Sequence, residues 1–261
     1  MYDIPVLVTR NERNGFTEPI AAVVDHYLEC KQTRMWPRIL GEGFETLATE
    51  ITERVDIRLE HEAHYDWVAF VPQRESDAGA LTKYFGKGAD DGDFKIRGIE
   101  DRQRSTPPFI EDVQRSCLER LDATRSPDAV LDCLQDVIKR LHAGTVPVEQ
   151  LVERNRISKP LEGYTQNTQN VAALKRAREQ DLAIHPGQDI EYVVVDDEKT
   201  SRERVALAHE EIETDDASYY ETQLIRAVES VLSPLGWDRT EIRREFAERQ
   251  MPKLTAFWDR E

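Results

Sequence analysis

The chain has 261 residues, with 51 acidic side chains against 35 basic ones and a formal net charge of −16. Its 39% hydrophobic content is enough for one large domain or two ordinary ones with a real core, which excludes a disordered polyanion. No apolar run approaches the length needed to span a bilayer, and no basic-then-apolar signal opens the chain, so a soluble, cytoplasmic protein is expected.

Of the 35 basic residues, 26 are arginine and only 9 lysine. An acidic, lysine-poor surface stays hydrated in concentrated salt, where screening cuts self-repulsion, and halophilic adaptation is the expected reading. Net charge is then a poor guide to partners, because a local basic surface can persist within an acidic shell. Cys30, Cys117 and Cys133 are odd in number, widely spaced and in no ligand pattern, so neither a zinc site nor a disulfide framework is expected.

In chain order, "IPVLVT" (Ile4–Thr9) reads as a short strand and "PIAAVVDHYLEC" as a helix behind Pro19. "GFETLATEITERV" places Phe44, Leu47, Ile51 and Val55 at helical spacing, and "DIRLEHEAHYDWVAFVP" is strand-like. "TKYFGK", the turn "GADDGD" and "FKIRGIE" read as a hairpin. Pro108 to Leu141 is helical with one interruption, where Ser126 stands as N-cap and Pro127 as first helical residue. A strand "LVERNRIS" follows, then the amide-rich "YTQNTQN", a helix "NVAALKRAREQ" and a Pro-Gly turn leading into the strand "DIEYVVV". Two helices, around Tyr219–Leu232 and Arg239–Glu248, close the pattern. A boundary is expected near Pro107–Pro108.

Most local site candidates fail on geometry. "HEAH" is not a helical zinc motif, since His61 and His64 in a strand face opposite ways. Asp196 and Asp197 end a strand, but a two-metal site needs further carboxylates to hold ions roughly 3.5–4 Å apart, and the pair runs into "EKTSRER", which reads as a solvated turn. No Gly-rich phosphate loop, GxSxG elbow or Cys/His nucleophile is present. What does recur is a set of basic and aromatic clusters at turns and element ends. These are Lys83 to Lys87, Arg97 with Arg102 and Arg104, Arg154 to Lys159, Tyr164 with its amides, and Lys175–Arg176. Such groups hold phosphates without reading base sequence.

In order, these segments resemble the C-terminal part of a family B DNA polymerase of archaeal, and given the composition haloarchaeal, type. "LVERNRISKPLEGYTQNTQNVAALKRA" is similar to the family's thumb strand, its "L..Y" and its "VA.AKR" helix. "HPGQDIEYVVVDDE" resembles "PG..I.Y.V", and "DDASYYETQLIRAVESVLSPLGWDRTEI" resembles the closing "YD..YY....L.A..R.L...G". Upstream, "RGIEDRQRSTPPFIEDVQ" is similar to "RG.E..RRD", and "IRLEHEAHYDWVAFVPQRESDAGALTKYFGK" to a palm strand and "KKRYAG". The likeness runs from about Gly43 to Phe246.

The resemblance implies an α+β fold, with partial palm-like antiparallel strands plus a mainly helical thumb-like domain. Residues 1–43 stay unassigned, 44–107 form the palm-like remnant and 108–261 the thumb-like part. It further implies sequence-independent binding of primer-template duplex. Lys83, Tyr84, Arg97 and Arg104 would make contacts on the palm side, and Lys159, Tyr164, Asn170, Lys175 and Arg176 on the thumb side. The chain departs from the family where chemistry is concerned. The "SLYPS" and "YGDTDS" segments that bear the catalytic aspartates do not occur, nor does the fingers helix. Leu81 replaces a primer-template lysine and Ser105 the Asp of "RRD". Glu60 and Glu62 match only a peripheral carboxylate segment. No catalytic residue and no cofactor is therefore expected in this chain alone, and Mg²⁺ enters only if a second chain completes the site. The rivals are a polymerase half that works in trans, and an interaction protein that keeps the fold but not the DNA contacts.

Overall fold

The computed structural model describes residues 7–8, 60–61, 65–73, 76–89, 92–200 and 202–250. The expected helices behind Pro19 and over Gly43–Val55 lie outside these residues, as do Cys30, Glu62, His64 and the side chain of Glu60. The chain forms two compact units, residues 1–68 with 85–95, and residues 69–84 with 96–261.

In the first unit, β1 (Leu7–Val8) pairs antiparallel with β2 (Glu60–His61), which puts a strand where "IPVLVT" predicts one. Trp67 sets its indole edge-on to Phe85 and Phe94, with centroids 6.0 and 6.1 Å apart. Lys87 lies 5.7 Å from the Phe94 ring. The strands β3 (Tyr65–Gln73), β4 (Ser76–Gly88) and β5 (Phe94–Arg97) make a three-stranded sheet in that order. The expected hairpin between β4 and β5 is closed by Gly88 N–H donating to Asp93 O at 2.8 Å.

The second unit is built on helices. α1 (Pro108–Thr124) and α2 (Pro127–His142) both begin with proline at the first helical position, where its missing N–H costs nothing. α1 buries Phe109, Ile110, Val113, Cys117, Leu118 and Leu121, one face of a 3.6-residue period, against α2 and α4 (Ala217–Leu232). Arg125 ends α1 in the left-handed region at φ 56°, its N–H donating to Leu121 O. Ser126 holds the N-cap position of α2 but makes no side-chain cap. Thr124 Oγ1 accepts the Ser126 N–H instead, at 3.2 Å. α4 is properly capped, Asp216 accepting the Tyr219 N–H at 3.0 Å. α5 (Arg239–Gln250) packs on α2 and α4, and Arg249 joins Asp128 of α2 at 2.6 Å.

Beside the helices lies an antiparallel sheet of β6 (Glu153–Arg156), β7 (Asp189–Val194) and β8 (Val205–Leu207), in sequence order. Tyr192, Val193 and Val194 are all buried, because α3 (Gln169–Glu179) packs on this sheet and Tyr220 of α4 donates and accepts hydrogen bonds beside it. β8 is a strand that the sequence reading missed. The preceding "EKTSRER" is the solvated turn the sequence predicts, with Glu198, Lys199, Thr200, Arg202 and Glu203 exposed, but it leads into Val205, Ala206 and Leu207, which are buried. Three residues are too few to show a period of two.

The expected boundary at Pro107–Pro108 is bridged by packing. A 3-10 turn, Glu100–Arg102, sits on α1. Gln114 of α1, 0% exposed, accepts from Asp101 N at 2.7 Å and donates to Glu100 Oε2 at 3.1 Å and to Ala227 O of α4 at 2.7 Å. Just before that turn, Gly98 has φ +70°, and a Cβ there would meet Thr82 O at 2.1 Å. Only glycine brings "RGIE" this close to β4.

Candidate nucleic-acid interface

The turn after β6 brings two of the sequence candidates together. A 3-10 turn, Leu161–Gly163, folds the chain back behind Pro160 and sets Lys159 Nζ 4.8 Å over the Tyr164 ring. Tyr164 Oη accepts the Ser158 N–H at 3.2 Å, which fixes the ring. Gly163 leaves room for the lysine stem, as a Cβ there would sit 3.2 Å from Lys159 Cδ. The ammonium stays exposed over an aromatic face, an arrangement worth about 0.5–1 kcal/mol.

The amide stretch that follows is held from several sides. Asn167 accepts from Lys175 Nζ through its side chain and from Arg204 through its carbonyl, both at 2.8 Å, and it donates to Thr200 O. Gln169 donates to Asp197 at 2.9 Å, and Arg204 pairs with the same carboxylate at 2.5 Å. Asp197 N–H in turn donates to the α4 cap, Asp216, at 2.8 Å. Part of the amide run is thus internal scaffolding. Asn170 uses its Oδ1 to accept from Thr168.

This scaffolding forms one wall of a cleft of about 370 Å³. Thr168, Gln169 and Asn170, at the start of α3, line one side, while Gln103, Ser105 and Thr106 from the "RGIEDRQRST" segment line the other. Two stretches more than sixty residues apart in the chain, each singled out by sequence, therefore share one cavity. Gln223 and Arg226 of α4 complete it, with Arg226 Nε 3.6 Å from Glu100.

Glu153, 7% exposed, also lines the cleft. It accepts from Tyr219 Oη at 2.6 Å and Tyr192 Oη at 3.1 Å. Burial pushes its carboxyl up, and the two tyrosine hydrogen bonds only partly oppose that. The same burial and the Glu153 carboxylate push both phenols upward, so all three groups favour their neutral forms. The sequence reading missed Glu153 because one acidic residue in a strand carries no pattern; its function as a hub rests on tyrosines 39 and 66 residues away.

The cationic candidates divide. Lys83, Lys159 and Lys175 are exposed and make no ion pair among the described residues, and Arg97 is exposed. Arg104, by contrast, lies 3.3 Å from Asp189, which also receives Arg154 at 3.3 Å; Arg154 reaches Glu191 at 3.1 Å as well. Arg176 is half-buried on Glu210 at 2.6 Å. Burial alone would raise the Glu210 carboxyl, but Arg176, the Leu207 N–H and Gln180 together hold it below the usual range. Tyr84 needs correction as a surface contact. It is 2% exposed and packs its ring 5.5 Å from Phe70, so it serves the core of β4 and cannot offer its face to a ligand.

Comparison with known proteins bears directly on this cleft. The sequence matches the family model "DNA polymerase family B" over residues 41–235. The chain belongs to DNA polymerase family B. Both sides of the cleft fall within the family match. The chain is 28% identical over 159 residues to a DNA polymerase of Thermococcus hydrothermalis, covering 59% of this chain and 10% of that protein. It is 26% identical over 192 residues to a DNA polymerase of Thermococcus kodakarensis, covering 72% and 11%. The family B DNA polymerase structure from Pyrobaculum calidifontis aligns with a TM-score of 0.56 and 18% identity, over 81% of this chain and 28% of that one, which establishes a shared fold. This family B chain thus spans about a tenth to a fifth of the length of the curated relatives it matches. Among the described residues no helix is long and apolar enough to cross a membrane.

Proposed function

We propose that this chain is the palm-and-thumb portion of a family B DNA polymerase, and that it grips primer-template duplex through the phosphate backbone. The observation that carries this reading is the cleft in which Gln103, Ser105 and Thr106 meet Thr168, Gln169 and Asn170, within the family match and rich in side chains that bind phosphate and sugar without reading bases. Lys83, Lys159 and Lys175 supply the charge. The setting is DNA replication or repair in the cytoplasm, and the acid-rich shell serves solubility in salt.

Polymerisation itself needs carboxylate-held metal ions at the attacking and leaving oxygens. Among the described residues no group of three His, Cys, Asp or Glu side chains could hold a metal ion. Polymerase chemistry would require a second chain that bears the aspartates. Two measurements test the reading. Binding of a fluorescent primer-template duplex should weaken in Lys159→Ala and in Lys175→Ala, each flattening the slope of log affinity against log salt by about 1. Affinity and slope unchanged in both variants would refute duplex gripping. The purified chain should extend no primer in Mg²⁺; clear extension would refute its dependence on a partner.

A further inference from the structure

We infer that the cleft holds the nucleic-acid backbone through uncharged donors, so that binding falls less steeply with salt than the number of cationic candidates would give. This rests on the nucleic-acid reading above and specifies how that site works. Affinity that comes from cations falls with salt because each neutralised phosphate releases condensed counterions. A cation already paired with a carboxylate of its own protein has little such charge to offer. Here Arg104 and Arg154 face Asp189 and Glu191, Arg176 faces Glu210, and Arg226 within the cleft faces Glu100. Of these pairs only Arg226–Glu100 lines the cleft, and Arg226 is the one cation among its lining residues, so positive charge is not concentrated there.

The uncharged groups are in the opposite condition. The side chains of Gln103, Ser105, Thr106 and Gln223 line the cleft and make no hydrogen bond among the described residues. Asn170 spends its oxygen on Thr168 and keeps its NH₂ donors. Glu153, whose charge would repel a phosphate, sits between two phenol donors that neutralise its demand for water. Amide and hydroxyl donors bind phosphate oxygens without displacing counterions, so their contribution is nearly independent of salt. A phosphodiester backbone is a ligand this set can meet: its oxygens accept, and each free amide NH₂ and hydroxyl can donate to them.

The salt slope gives a numerical test. At about 0.9 per neutralised phosphate, the six cationic candidates would produce a slope of about −5.4. With Arg104 and Arg176 internally paired, at most four remain, and the slope is no steeper than about −3.6. The experiment is fluorescence anisotropy of the full chain with a labelled primer-template duplex across a decade of KCl. Gln103→Ala and Gln223→Ala are each expected to lower affinity about three- to tenfold at every salt concentration, leaving the slope unchanged. The near-isosteric Gln223→Glu, which adds a negative charge without altering volume, should lower it further. Arg176→Ala should leave the slope as it is. A slope near −5.4, or affinity unchanged in both glutamine-to-alanine variants, overturns the inference while duplex gripping stands. No binding at any salt concentration overturns both.

Discussion

The helical bundle and the small sheet beside it are held together by different means. Between α1, α2 and α4 the contacts are aliphatic, with Leu118, Leu134, Val228 and Val231 fully buried. Around β6, β7 and the start of α3 they are polar: Glu153 with two tyrosines, Arg204 with Asp197 and the Asn167 carbonyl, Arg176 with Glu210. The bundle tolerates any side chain of suitable shape, while the sheet region depends on particular pairings. The contrast explains why the cleft lies where it does. A ligand of charged oxygens can be met only where donors are fixed in place but not all consumed, as along the cleft, to which α4 of the bundle contributes Gln223 and Arg226.

The contrast can be broken at Gln114, a fully buried polar residue in the bundle that reaches three partners. Gln114→Leu keeps the volume but orphans Asp101 N–H and Ala227 O, and a loss of about 3–5 kcal/mol is expected by urea denaturation. Leu134→Ala, purely aliphatic, should cost about 2–5 kcal/mol, at the lower end if α2 relaxes into the gap. If Gln114→Leu proves the milder of the two, the bundle is more forgiving of lost polar partners than the comparison holds.

Glu153 sharpens the polar side through pH. Its carboxyl is raised in the folded protein by burial, so between the ordinary carboxylate range and its folded value the native state holds a proton that the unfolded chain has lost. Stability from this group is full below the unfolded value and declines as pH rises through the folded one. Glu153→Gln should remove that decline, so the difference between wild type and variant in a pH series of urea midpoints grows with rising pH. A constant difference would mean that folding leaves the Glu153 carboxyl unshifted. The smallest effect is expected at Asp181, which ends α3 at φ +57°. Asp181→Gly should stabilise by about 1 kcal/mol, read as a rise in the thermal midpoint, because the left-handed region costs glycine nothing.

Legibility followed the same division. The bundle helices were readable from their apolar periodicity and from Pro108 and Pro127 at their starts, since both signals are local. Ser126 stands at the N-cap before Pro127 as the sequence predicts, but whether its hydroxyl caps the helix depends on a rotamer that no sequence shows, and here it does not. β8 was unreadable at three residues. Arg176 looked like a contact residue in sequence; Glu210, which claims it, is 34 residues away and carries no motif.

The sequence by itself determined the helical bundle, the β4–β5 hairpin, the family likeness and the two stretches on which a nucleic-acid site would depend. These are matters of local spacing and motif order, which survive in a linear reading. Only the tertiary structure decided that Tyr84 is core, that Arg104 and Arg176 are paired, and that residues 103–106 and 168–170 share one cleft. Each of those depends on which distant side chain arrives alongside, and a charge shows its effect only once its nearest neighbour is known.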